Sequence, residues 1–305
     1  MSQKIVFMGT PDFSVPTLTS LVNSDHKILA VYSQPASKAN RGQKIIPSSV
    51  EIFAKENSLN LRTPNKLNDV EFDFLRKSNP DIVIVIAYGK IIPRKFLDLP
   101  KNGFINIHAS LLPKWRGAAP IQRSIMNMDY ETGISIMKIV EELDEGPIMQ
   151  QEKIKIDKNV NTLSLSKTLS NLASKSIIDV IKKIENGEAK FKDQKHDQAT
   201  YAKKISKLEG KINWKENAEK VLAKINGLNP NPGAWFIFNN ERYKIWQADV
   251  VNVNSEPGKI IDDGLTIACN SKAVKILEIQ KEGKNKQFVK DFLLGNKMKQ
   301  GEFVS

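Results

Sequence analysis

One cysteine and three histidines are all that 305 residues offer of the side chains most used for redox and metal chemistry. A lone thiol, Cys269, excludes an intrachain disulfide framework and a cysteine-based metal site. It lies in the apolar run Leu265-Thr266-Ile267-Ala268-Cys269, where a small buried hydrophobe is expected. His26, His108 and His196 are too scattered to form a metal cluster by spacing, so no metal is expected. No apolar run approaches the ~18 residues that span a bilayer. The four apolar residues before Gly9 are too few for the core of a signal peptide, and the expected location is cytoplasmic, away from membranes. The turn Gly9-Thr10-Pro11-Asp12-Phe13 lacks the three-glycine fingerprint, which argues against a dinucleotide bound in the usual way. There is no Walker-type phosphate loop and no serine in a nucleophile elbow, so a covalent mechanism has little to rest on.

What the chain does have is positive charge. Lys and Arg outnumber Asp and Glu by 46 to 34, a net +12 with neutral histidines. A surplus of that size points to an anionic partner, nucleic acid first, although a generally lysine-rich surface gives the same number. From Lys195 onward there are 19 basic and 13 acidic residues, so the surplus is denser in the C-terminal third. At 40% hydrophobic and 26% charged residues the chain is an ordinary globular one, long enough for two domains.

The first half alternates strand-like and helix-like segments. Lys4–Met8, Ile28–Ser33, Ile82–Ala87, Phe104–Ile107 and Ile134–Val140 read as strands. Ser14 to Leu21, Pro47–Asn57, Val70–Arg76 and a stretch through Ile121 and Ile125 read as helices, and Asn161–Asn186 is the strongest helix of all. The rhythm predicts an α/β fold: an open, mostly parallel, Rossmann-like sheet with helices on both faces. Beyond it come a helix at Asn217–Ile225 and short strands at Ala234–Phe238, Tyr243–Val251, Lys259–Ile261, Thr266–Ala268 and Ala273–Gln280, the pattern of a small β-barrel of oligonucleotide-binding (OB-like) type. The boundaries expected are residues 1–187 for the first domain, 188–207 for a basic linker and 208–305 for the barrel. Trp214, Trp235 and Trp246 are expected in the core of the second domain.

Chemistry concentrates where Phe104–Ile107 ends. Strand side chains alternate, so Asn106 and His108 share a face at the C-terminal end of an apolar strand, where α/β enzymes place their sites. The acid-rich segment Glu141-Glu142-Leu143-Asp144-Glu145-Gly146-Pro147 follows the next strand and is expected at the same sheet edge. One of its carboxylates can orient and charge the imidazole as a general acid or base, while Asn106 offers an N–H to an oxyanion. Such a trio suits attack of an amine on an acyl carbon without a covalent enzyme intermediate. The competing interpretation is a hydrogen-bonded strand end with no chemistry.

Longer motifs narrow the choice. They are IVFMGTPDF at Ile5–Phe13, the QP…RG…P loop at Gln34–Pro47, IVIAYG at Ile84–Gly89 and INIHASLLPKWRGAAPIQRSI at Ile105–Ile125. TGISIMKIVEELDEGPI at Thr132–Ile148, TYAKKISKLEGKINW at Thr200–Trp214 and NGLNPNPGAW at Asn226–Trp235 continue the pattern. Across essentially its whole length the chain resembles the methionyl-tRNA formyltransferases, within the folate-dependent formyltransferase family. Two departures are visible: the loop after Gln34-Pro35 lacks the usual Asp, and Asn231 stands where the family has Trp.

The resemblance implies formyl transfer from 10-formyltetrahydrofolate to the amino group of methionine on initiator methionyl-tRNA, by a monomer. It implies that Asn106 stabilises the oxyanion, His108 handles protons and Asp144 positions and charges the imidazole. It places Ser110, Leu111, Leu112 and Pro113 in the folate-contacting motif, with Tyr88, Ile91, Val140 and Leu143 around the pteridine. It assigns tRNA contacts to Lys38, Arg41 and Lys44 in the inserted loop and to Lys204 and Lys207 before the barrel. The alternative is the same donor used on a small amine such as a nucleotide-linked amino sugar.

Overall fold

Ile82–Ile86 is buried at every residue, as a β-branched run covered on both faces must be. It is one strand of a seven-stranded sheet. In chain order the strands are β1 (Lys4–Gly9), β2 (Lys27–Tyr32), β3 (Leu61–Arg62), β4 (Ile82–Ile86), β5 (Phe104–His108), β6 (Glu131–Lys138) and β7 (Ile148–Lys155). In this computed structural model, which describes residues 2–39 and 44–305 without the side chains of Lys38, Ala39 and Lys44, the spatial order is β7-β6-β5-β4-β1-β2-β3. The pairs β1/β2, β1/β4, β2/β3 and β4/β5 are parallel. The chain builds outward from β1 on one side and then crosses to its other side through β4, so the strand order reverses between β1 and β4. Ligands of open α/β sheets bind at such a reversal, beyond the carboxyl ends of the strands.

Helices α1 (Val15–Val22), α2 (Ser49–Glu56) and α3 (Asp69–Ser78) connect these strands. The Ser48 and Asn68 side chains accept from the Glu51 and Glu71 backbone N–H groups, caps worth about 1 kcal/mol each. Buried Glu71 accepts from Tyr32 Oη at 2.7 Å and from Arg62 Nε and Nη2 at 2.6 and 2.9 Å. The Arg62 guanidinium lies 3.9 Å from the Phe74 ring centroid.

One strand runs against expectation. β6 is antiparallel to β5, with Ile105 opposite Lys138 and His108 opposite Ser135. β7 was not foreseen; its alternation of half-buried and exposed residues weakens any apolar signal.

The chain divides into two compact units: residues 1–117, 133–154 and 166–201, and residues 118–132, 155–165 and 202–305. Of the segment 188–207, the part up to Tyr201 falls in the first unit, where Lys192 and Ile148 exchange backbone hydrogen bonds of 2.8 and 2.9 Å. The second unit holds helices α4 (Pro120–Met126) and α6 (Ala218–Leu228); the long α5 (Thr162–Glu185) has residues in both units. A Cβ at Gly227 would stand 2.5 Å from Met126 Cγ, so the glycine is what lets α6 approach α4.

The second unit also holds β8 (Ala234–Phe238), β9 (Glu241–Val251), β10 (Thr266–Ala268), β11 (Ala273–Lys281) and β12 (Gln287–Phe288) in an antiparallel sheet. Its two ends are joined. Gly258 and Lys259 bond to Ala268 of β10; Val304 and Glu302 bond to Gly258 and Ile260; Ser305 and Ile237 of β8 exchange bonds of 2.9 and 2.6 Å. That circuit closes a barrel and leaves fewer open edges. Trp214, Phe236, Tyr243 and Phe292 pack inside it at centroid spacings of 5.6–5.9 Å, Phe236 stacked on Tyr243 and the other two pairs edge to face.

Candidate active site

β5 ends at His108, which is buried, and the chain turns at once through Ala109–Gly117. The turn is braced from below: Ser135 Oγ donates to Ser110 O at 2.7 Å and accepts from Leu112 N–H at 2.9 Å. Gln151 Nε2 donates to Leu112 O at 2.9 Å, and Ser110 Oγ donates to Lys114 O at 2.6 Å. The brace returns the chain over the strand it left, so that Trp115 O lies 2.9 Å from His108 Nε2. A carbonyl only accepts, so Nε2 carries the hydrogen in this arrangement. Nδ1 then faces Asp144 Oδ2 at 3.5 Å. The same carboxylate oxygen accepts the Gly117 backbone N–H at 2.8 Å.

Asp144 arrives by a different route from the one expected. Because β6 is antiparallel, the acidic loop leaves it beside Phe104, where Ile139 N–H bonds to Phe104 O, at the far end of β5. The loop doubles back to reach His108, and Asp144 takes a left-handed backbone, φ 54°, in doing so. Its neighbours are tied down by residues to which the sequence assigned no role, Arg116 and Gln194. Asn106 is half-buried between Val85 and Met137 of the adjoining strands, and among the described residues its side-chain amide has no hydrogen-bond partner. The trio offers an uncommitted donor, a hydrogen-bonded imidazole and a half-buried carboxylate beside it.

Of the residues expected around a folate, Ser110 and Leu112 are buried parts of the turn, whereas Leu111 and Pro113 are partly exposed. Tyr88 is buried just past β4; its carbonyl accepts from Thr10 Oγ1 and Gln34 Nε2, each at 2.9 Å. Burial and the Glu71 charge push the Tyr88 hydroxyl up to about 12. Val140 is half-buried. Ile91 and Leu143 are 91% and 66% exposed, two apolar side chains left in solvent on loops of this unit.

Arg41 lies outside the described residues, as do the side chains of Lys38 and Lys44. In the second unit Lys204 and Lys207 are exposed, and the chain between them and β8 is held by Arg123, which bonds to Lys203 O and Glu209. Trp214 is in the barrel core as expected, but Trp235 and Trp246 are not. They are half-buried on the outer face: Arg242 covers the Trp235 ring at 4.5 Å, and Lys244 and Lys286 approach the Trp246 ring at 5.1 and 5.7 Å. The signal was present in the alternation, since inward Ala234, Phe236 and Phe238 oblige Trp235 to point out.

Comparison with known proteins agrees with this layout. Residues 3–181 match the family profile described as formyl transferase, and residues 204–297 match the formyl transferase C-terminal domain. The methionyl-tRNA formyltransferase of Pelagibacter ubique (strain HTCC1062) is 51% identical over 308 residues, covering 100% of this chain and 99% of that one. Among solved structures, HypX from Aquifex aeolicus in complex with tetrahydrofolic acid superposes with a TM-score of 0.69 at 16% identity, over 100% of this chain and 51% of that chain. WlaRD, a sugar 3N-formyl transferase solved with dTDP and 5-N-formyl-THF, superposes with a TM-score of 0.67 at 22% identity, over 93% of this chain and 100% of that chain. These two structural likenesses concern the fold.

Proposed function

Since the chain belongs to the formyl transferase family, we propose that it transfers a formyl group from 10-formyltetrahydrofolate to the methionine amino group of initiator methionyl-tRNA. The observation that carries this reading is the His108–Asp144 pair, held at the end of β5 beside an Asn106 amide that has no hydrogen-bond partner among the described residues. Asn106 donates to the formyl oxygen as negative charge builds on it. His108 accepts a proton from the attacking amine, and Asp144 stabilises the imidazolium that results. As the tetrahedral intermediate collapses, the bond from the formyl carbon to the folate nitrogen breaks and the imidazolium returns the proton to that nitrogen. No covalent bond to the protein forms. The exposed Ile91 and Leu143 give a flat, partly apolar donor surfaces to lie against, and the Ser110–Pro113 turn, buried at Ser110 and Leu112, sets the floor beside His108. No step of this reading requires a metal.

The tRNA contacts belong to the cations: Lys38, Arg41 and Lys44 of the inserted loop, Lys204 and Lys207, and the Trp235–Arg242 and Trp246–Lys244–Lys286 face of the barrel. Phosphate neutralisation with base or ribose stacking on indole is the chemistry such a face supports. Burial and the neighbouring Arg242 hold the Lys244 ammonium below its usual range. The enzyme acts as a cytoplasmic monomer in this reading; among the described residues no helix is long and apolar enough to cross a membrane.

The test is transfer of formyl from 10-formyltetrahydrofolate to charged initiator tRNA by the purified chain. Absence of transfer, or equal transfer to a nucleotide-linked amino sugar, overturns the reading. The sugar alternative draws on the likeness to WlaRD in fold, and a small acceptor leaves the barrel's cationic face without a use.

A further inference from the structure

Behind Asp144 lies the most completely buried charge among the described residues of the first unit. Arg116 is 1% exposed. Its Nη1 pairs with Glu145 Oε1 at 2.8 Å, and its Nε and Nη2 donate to Gln194 Oε1 at 3.2 and 2.9 Å. Nη2 also lies 3.3 Å from His196 Nδ1, which is itself 3.3 Å from Glu145 Oε2. A guanidinium has only donors, so it fixes which end of the Gln194 amide faces it, and the NH2 end must point the other way. That end donates to Asp144 O and Gly146 O, both at 2.8 Å. The main chain is therefore gripped on either side of Glu145, and the Glu145 side chain is gripped by Arg116 itself.

The residue after Arg116 holds the other face of the same loop, since Gly117 N–H binds the Asp144 carboxylate. Asp144 has a left-handed backbone, which an L-residue keeps only where the surroundings over-determine it. A buried ion pair is weak as a source of stability but effective at selecting one arrangement. We propose that Arg116 and Gln194 are positioning residues: through the carbonyls of Asp144 and Gly146 they set the Asp144 carboxylate against His108. Glu145 and, at the rim, His196 complete the clamp. The inference rests on the formyl-transfer reading for its assay.

Gln194→Glu is the informative variant. It keeps the size of the side chain and an acceptor for Arg116, and replaces the two donors with an oxygen aimed at two carbonyl oxygens. Displacement of a reacting group by about 1 Å costs on the order of 100-fold, so kcat should fall by about 100-fold with both KM values within about twofold of wild type. Gln194→Met, which removes the grip without repulsion and serves if the first variant misfolds, should lose about 10-fold in kcat. In an Asp144→Asn background either substitution should cost little more, because residues acting through one group are not additive. Wild-type kcat in both Gln194 variants, or the full loss repeated in the Asp144→Asn background, overturns the proposal. Failure of the wild-type chain to transfer formyl would instead overturn the function proposed above.

Discussion

The carbonyl oxygen of Trp115 accepts the Nε2–H of His108 at 2.9 Å, and Trp115 holds that carbonyl in place with a left-handed backbone, φ 64°. With Asp144 on the other ring nitrogen, both nitrogens of the imidazole face oxygen. The ring is oriented before any substrate arrives, and one of its two partners must yield when a substrate amine approaches.

His108→Ala removes the proton acceptor and should lower kcat by about 10²–10⁴-fold. Binding of charged tRNA, measured by filter retention, should stay at the wild-type level. Loss of both would mean the side chain maintains the turn and not the reaction.

Two glycines offer a contrast within this unit. A Cβ on Gly146 would lie 1.8 Å from Lys138 O, a backbone atom, so Gly146→Ala must push the acidic loop off the end of β6. Its kcat should fall together with its thermal midpoint. At Gly103 nothing stands within 4 Å, but φ is 75°. Gly103→Ala should therefore cost only about 1 kcal/mol of stability and leave kcat unchanged.

Glu71 predicts an acid limit to stability. Burial pushes its carboxyl up, but hydrogen bonds from Arg62 and Tyr32 and the Arg62 charge outweigh it and hold the folded value below the usual range. A carboxylate depressed in the folded state contributes stability above its unfolded pKa, and that contribution is lost as pH falls through the folded value. Glu71→Gln should lose roughly 1–3 kcal/mol at pH 7. Its urea midpoint should approach that of wild type as pH falls below about 4. Parallel midpoint curves for the two proteins would contradict the assignment.

For the lysines proposed to contact tRNA before the barrel, Lys204→Ala with Lys207→Ala should weaken tRNA binding and flatten its salt dependence. The slope of log K against log salt should fall by roughly 0.7–0.9 per lost phosphate contact. Trp246→Ala, which removes the ring under Lys244 and Lys286, should weaken binding with little change in that slope, because a stacked base releases no counterions.

The α/β frame and the Asn106–His108 pair were legible in the chain because both rest on local patterns: buried β-branched runs, and polar residues two apart at a strand end. Spacing left the carboxylate of the acidic loop open, and only the family resemblance named Asp144. The direction of β6 was not, since the same apolar alternation suits either direction and only the path of residues 109–130 decides between them. Arg116 and Gln194 were illegible for another reason. They meet across 78 positions, and a buried arginine looks like a solvent-facing one until its partners are known. β7 was hidden by an alternation that never buries a side chain fully. The outward Trp235 was readable from period two, against the core position expected for it.

Trp115 has a use beyond its hydrogen bond to His108. Of the four tryptophans, 115 is the only one in the first unit; Trp214, Trp235 and Trp246 all belong to the second. Replacing those three with phenylalanine leaves one fluorophore seven residues from His108. Its emission then reports donor binding, loop displacement and the melting of the first unit, each without a label.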